Sequence, residues 1–175
     1  MFPSLITFLS CCANKFVTIK VIIKETKRCD TRALVKTFTE TDVETDTLYH
    51  VQAVNDVAMA FSKALLEQVS QHDYTKLGTY LPMFARALKT GFVDDEFKKL
   101  NWWQLHYTFE RHHLNDRCPD DVNLIDVIEM LIDCVCAGKA RTGEVYAINI
   151  SDEILQKAVF NTIEMLKENV VVEKD

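Results

Sequence analysis

The chain is poor in the residues that bend a backbone. Four glycines and three prolines among 175 residues supply few turns, and a many-stranded sheet needs many, so long helices are the better expectation. A basic excess is missing as well. The net charge of −6 argues against general nucleic-acid binding, which wants a basic face, and still leaves room for a local basic pocket that takes a phosphate. No apolar run approaches the roughly 20 residues of a membrane-spanning helix. The apolar opening MFPSLITFLSCCA has no Lys or Arg before Lys15, so it lacks the basic leader of a signal peptide. Residues 1–15 are read as an extension whose order is left open. None of the six cysteines (Cys11, Cys12, Cys29, Cys118, Cys134, Cys136) has the C-x2-C spacing of a zinc ribbon. A chain of this length buries a core without covalent staples, so the thiols are expected to be reduced, as in a cytoplasmic protein.

What the chain does have is a mainly α pattern in one domain, residues 16–175. Residues 16–24 (FVTIKVIIK) are β-branched and partly alternating, which predicts one strand, and the other strand-like run is EVYAINI at 144–150. A small two-stranded β element formed by these two segments is therefore expected beside the helices. The first long helix is predicted from Thr39 or Thr41 to about Val69, with Asp42 and Glu44 in the first turn, where carboxylates suit the helix dipole. Its apolar stripe is read as His50, Val54, Val57, Phe61 and Leu65. A second helix is expected over 73–90, kinked or split at Pro82. The segment NWWQLHYTFERHHL (101–114) reads as an aromatic, imidazole-rich helix with His106 and His113 two turns apart on one face. Trp102 and Trp103 are taken as core or interface residues rather than a base-stacking platform. A further helix covers 121–137, and a last one starts at Ser151 as N-cap and ends near Asn169, after which the tail is expected to fray.

The five histidines, His50, His72, His106, His112 and His113, all fall between positions 50 and 113. Imidazole is the commonest metal ligand and the natural proton carrier near neutral pH. On the 121–137 helix, Asp126, Glu129 and Asp133 form an acidic stripe. Asp126 and Glu129 are read as a solvated face. Asp133 has apolar neighbours on both sides, and a carboxylate buried there is costly unless it is paired or holds a metal. These residues together point to a metal centre. A mixed imidazole and carboxylate set suits one or two divalent ions such as Mn, Fe, Co, Ni, Zn or Mg. Lys76, Arg111, Lys139 and Arg141 are the candidate cations for a substrate phosphate.

The order His50, then His72-Asp73 followed by Lys76, then Asp133, resembles the HD-domain superfamily of metal-dependent phosphohydrolases over residues 45–140. Its pattern is a histidine on one helix, a His-Asp pair at the next, commonly as His-Asp-x-x-Lys, and an aspartate on a later helix. The segment HHLND (112–116) is similar to the His-His pair of the dinuclear branch, whose glycines this chain lacks. The stretch from His112 to Gly143 also looks like a small phage-borne HD-like family without a settled function. The resemblance implies an HD-type helical bundle and metal ligands at His50, His72, Asp73 and Asp133, with His106, His112 and His113 completing a second metal site or serving as general acid. It implies Asp73, Lys76 and His112 in catalysis, and hydrolysis of a nucleotide or related phosphate. Two alternatives stay open: a non-catalytic nucleotide-binding or sequestering accessory protein, viral and acting in the host cytoplasm, and a di-iron oxygenase on the same fold. A small phosphorylated substrate is the expected partner; no membrane partner is, and a homo-oligomer is left open.

Overall fold

The computed structural model describes residues 20–26, 29, 30, 32, 37–91, 95–114 and 118–173. The expectations for residues 1–15 and for the first part of the 16–24 strand lie outside the described residues. The protein is mainly helical with a small two-stranded sheet. The chain divides into two compact units, one built around residues 67–162 and the other around 15–66 with 163–175.

The second of these holds the sheet. β1 (Val21–Lys24) pairs in parallel with β2 (Val170–Glu173), Val21 opposite Val170 and Lys24 opposite Glu173. The Lys24 ammonium meets the Glu173 carboxylate at the end of the ladder. The partner strand is thus the tail expected to fray, and residues 144–150 form no strand. Val170-Val171-Val172 is a β-branched run and suits a strand as well as residues 144–150 do. α1 (Glu40–Val69) begins where its sequence signal placed it. Thr39 Oγ1 accepts from the Asp42 N–H at 3.2 Å, and Asp42 Oδ2 accepts from the Thr39 N–H at 2.8 Å, the reciprocal bonding of a capping box. The less exposed stripe of α1 runs through Asp46, Ala53, Val57, Ala60 and Ala64. His50 and Val54 fall off it and are exposed, Val54 by 54%.

The unit built around residues 67–162 carries the last turn of α1 and most of the remaining elements. After α1 come two 3-10 turns, Tyr74–Lys76 and Gly78–Tyr80, and then α2 (Leu81–Leu88). The expected 73–90 helix is split because Asp73 and Gly78 both have positive φ, 58° and 52°, which no right-handed helix accommodates. Pro82 lies in the first turn of α2, where its missing N–H has no consequence. α3 (Asp95–Lys98) and α4 (Asn101–Phe109) follow. α4 stops before the His-His pair, so His112 and His113 sit on the turn behind it. α5 (Leu124–Thr142) is capped by Asn123, whose side chain accepts from the Ile125 N–H. α6 (Asp152–Asn169) starts at Ser151, whose hydroxyl accepts from the Ile154 N–H at 3.2 Å.

Two apolar clusters hold this unit. Leu114, Val122, Val127, Met130 and Ala158 form one, and Ala87, Phe97 and Trp102 the other. Thr162 of α6 accepts from the Leu124 N–H, and Asn161 donates to Val122 O, so α6 is bonded to the start of α5. Among the described residues no helix is long and apolar enough to cross a membrane.

Candidate metal centre

The site grows from the turn after α1. Asp73 is the one non-glycine residue with positive φ among the described residues. The left-handed region costs such a residue about 1 kcal/mol or more and persists only where its surroundings hold it. The holding group is Glu110, just past α4. Its Oε2 accepts from the Asp73 N–H at 3.2 Å, and its Oε1 accepts from the Thr75 N–H at 3.2 Å and the Thr75 hydroxyl at 2.7 Å. Trp102 adds a bond from its indole N–H to Thr75 O at 2.9 Å. The tight turn brings the adjacent side chains of His72 and Asp73 into one cluster.

Four imidazoles meet there. Ring centroids are 4.4 Å apart for His72 and His112, 4.4 Å for His112 and His113, and 4.7 Å for His106 and His113. His72 Nε2 lies 3.4 Å from Asp133 Oδ1 and 3.5 Å from Asp73 Oδ2. His106 Nε2 lies 2.8 Å from His113 Nε2 and 3.8 Å from Asp73 Oδ1. Lys76 Nζ donates to Asp73 Oδ2 at 2.6 Å. Two sets of ligand atoms, those of His72, His112 and Glu129 and those of Asp73, His106 and Glu110, each lie within 4.8 Å of one another. His106 stacks on Trp102 at 4.7 Å, nearly parallel, which closes that side of the cluster with an aromatic wall.

Protonation follows from these neighbours. Asp133 and then Glu129 raise His72 to about 10 against the effect of burial. Burial, reinforced by His113 and Lys76, pushes His106 down to about 2. Burial and then His112 push His113 down to about 4. Burial would raise Glu129, but the contacts from His112, His72 and Gln68 outweigh it and bring it to about 2. The bond from His72 lowers Asp133. His106 and His113 are therefore neutral near pH 7, and Glu129 and Asp133 are charged, the states in which imidazole and carboxylate bind cations, whereas His72 keeps both ring hydrogens until an ion displaces the one on Nε2.

The residues present fit a divalent ion. Asp73 Oδ1 and both ring nitrogens of His112 are buried and make no hydrogen bond of good geometry, His112 Nδ1 having only Glu129 Oε1 at 3.4 Å beside it, although such groups are almost always satisfied in folded proteins. The surrounding donors are imidazole nitrogen and carboxylate oxygen, a set that takes the first-row divalent ions. Of the ligands expected from sequence, His72, Asp73, His106, His112, His113 and Asp133 are brought together. Asp133 is half-buried rather than deeply buried, its side chain 29% exposed.

His50 is not among them. It lies on the exposed side of α1, in the other unit, because the helix turns Ala53 and Val57 inward instead. Arg111 is no free cation: it grips Asp126 with two bonds of 2.7 Å and meets Asp121 at 3.0 Å. Lys139 donates to Gly143 O at the C-terminus of α5, and Arg141 is exposed; a basic last turn of a helix is enough to account for both.

Three functional candidates escape a reading of the sequence. Asp126 and Glu129, expected to be solvated, are buried, at 0% and 4% exposure. Asp126 takes four donors, from Gln68, the Asn123 N–H and twice from Arg111. Glu129 takes His72 Nδ1 at 2.9 Å and Gln68 Nε2 at 2.7 Å. Glu110 carries no signal: within the expected 101–114 helix it reads as an ordinary polar residue, and α4 ends just before it. Glu129 does carry one: it has Ile128, Met130 and Leu131 as neighbours, the same apolar setting that singles out Asp133.

The profile of one protein family matches residues 39–170, which takes in the whole cluster. The chain belongs to a family of unknown function, DUF5662. No curated protein and no solved structure matches it. The DUF5662 match leaves out β1 and ends at Val170, the first residue of β2. All of α1, α5 and α6 up to Asn169 therefore belong to the family segment, and so do Glu110 and Glu129.

Proposed function

We propose that this chain is a divalent-metal-dependent phosphohydrolase acting on a nucleotide or a related phosphate, with chemistry like that of the HD-domain enzymes. One observation carries the reading: four imidazoles and the carboxylates of Asp73 and Asp133 converge, and buried atoms of Asp73 and His112 within that cluster make no hydrogen bond. His72, Asp73 and Asp133 would hold the ion, with His106 and His113 in the place that the HD pattern gives to a histidine on the first helix. A bound divalent ion supplies Lewis acidity toward a phosphoryl oxygen and lowers the pKa of water.

The chain's own residues do the rest. Asp73 and Asp133 neutralise the ion's charge. Lys76, with 22% of its side chain exposed and tied to Asp73, is the cation that meets a substrate phosphate. His112, whose two ring nitrogens make no hydrogen bond, is placed to hold or pass a proton. Trp102 and the apolar cluster around it keep water from the His106 side.

The test is phosphate or nucleoside release from a panel of nucleoside mono-, di- and triphosphates and cyclic nucleotides with Mn2+ or Co2+ added. Release is expected, with a loss of about 100-fold or more in Asp73→Ala, the scale of removing a metal ligand's support or more. Protein that binds neither ion and releases nothing would sink the proposal. Nucleotide binding without release would favour the accessory-protein alternative.

A further inference from the structure

Glu129 and Glu110 stand within ligand distance of histidines, yet their oxygens are already engaged. Glu129 Oε1 takes His72 Nδ1 and Oε2 takes the Gln68 amide. Glu110 takes the Thr75 hydroxyl, the Thr75 N–H and the Asp73 N–H. The atoms that make no hydrogen bond belong instead to Asp73 and His112. In this the two glutamates differ from Asp73 and His112.

Their hydrogen bonds also fix which ring nitrogen carries a hydrogen. A carboxylate only accepts, so His72 must hold its hydrogen on Nδ1 to bond Glu129. For His106 the logic runs through Thr75. That hydroxyl has one hydrogen and donates it to Glu110 Oε1 at 2.7 Å. Its 2.6 Å bond to His106 Nδ1 must then be one it accepts, so His106 too holds its hydrogen on Nδ1. His106 Nε2 is left as an acceptor, which the 2.8 Å approach of His113 Nε2 requires of one of the two rings. In both rings Nε2 faces the cluster, toward Asp73 and Asp133 for His72 and toward Asp73 and His113 for His106.

We propose that Glu129 and the Glu110–Thr75 pair are positioning residues that lock His72 and His106 with the hydrogen on Nδ1 and so present both Nε2 atoms to the metal. The inference rests on the metal-centre reading above. Partners of this kind orient a ligating ring and raise its basicity, and their loss typically weakens metal binding by about 10- to 100-fold. Gln68 extends the arrangement: its amide nitrogen donates to both Glu129 and Asp126, and Arg111 clamps Asp126 from the far side.

Glu129→Gln tests the lock without changing size. Gln68 offers N–H to that position, so the new amide must turn its oxygen there. Its NH2 then faces His72 Nδ1 and drives the ring hydrogen to Nε2. Thr75→Val removes the relay hydroxyl on the His106 side while keeping the backbone carbonyl that Trp102 uses. The measurements are Co2+ titration followed by visible absorption, with far-UV circular dichroism as a check on folding, and 15N chemical shifts of the histidine rings in the metal-free wild-type protein. The expected result is tight Co2+ binding by the wild type, weakened about 10- to 100-fold in each variant, and a His106 ring protonated on Nδ1. If the wild type binds no Co2+, the metal reading fails and this inference with it. If the wild type binds and both variants bind as tightly, the positioning role alone is overturned. A wild-type His106 with its hydrogen on Nε2 overturns it as well, and that spectrum needs no variant.

Discussion

Arg111 shows how a single side chain can be misassigned by its charge. A guanidinium next to two histidines invites a role in phosphate binding, and the geometry gives it another. Asp126 is fully buried, and a carboxylate in that position requires donors on every lone pair. Arg111 supplies two of its four, with burial opposing and Asp126 favouring the charged guanidinium. Removing one partner of such a pair leaves the other charged and dry. Arg111→Ala is therefore expected to destabilise the fold by about 3 kcal/mol, as a lower urea midpoint with an unchanged slope. If Arg111 bound substrate instead, the variant would keep its stability and change only KM. His72, Asp73 and the three clustered histidines are legible in the sequence, because ligand-type residues in that order carry a pattern. The partners of a turn are not. Glu110, Thr75 and the left-handed backbone at Asp73 act through contacts about 35 residues apart, and no periodicity records those.

Helix starts are legible where a local signal exists. The Thr39–Asp42 box starts α1 and Ser151 starts α6, and both are chemistry of four consecutive residues. Partner choice between strands has no such signal. EVYAINI and VVVE are both β-branched, and tertiary placement decides between them. The segment 144–150 is used differently, because it crosses α5 closely. A Cβ on Gly138 would meet Glu144 O at 2.5 Å and Tyr146 N at 2.6 Å, and the Tyr146 N–H donates to Cys134 O at 3.2 Å. Both opposing atoms are backbone, so neither can swing aside. Gly138→Ala raises helix propensity by about 1 kcal/mol yet is expected to destabilise on balance by about 1–3 kcal/mol, the cost of forcing overpacked backbone apart. Denaturant unfolding decides the sign. A more stable Gly138→Ala protein would mean that the 144–150 segment is held only loosely against α5.

At the scale of the whole molecule, the candidate ligands all belong to one of the two compact units, and His50 belongs to the other. Metal binding and folding should therefore be linked through the unit that holds the cluster. An ion that binds only the folded protein stabilises it by about 2.7 kcal/mol at a hundredfold excess over its Kd, and on a chain of this size that moves Tm by roughly 5–10 °C. Co2+ is expected to produce such a rise and a chelator to reverse it, read by circular dichroism. Where the two units melt separately, only one transition should move. Two variants make the expectation specific. Asp73→Ala removes a carboxylate from the centre of the cluster and should abolish the shift. His50→Ala removes an exposed ring on the other unit and should leave the shift as large as in the wild type. The HD pattern makes the opposite demand, because there the first-helix histidine is a ligand. A His50→Ala protein that no longer responds to Co2+ would restore that pattern and make His50 a ligand.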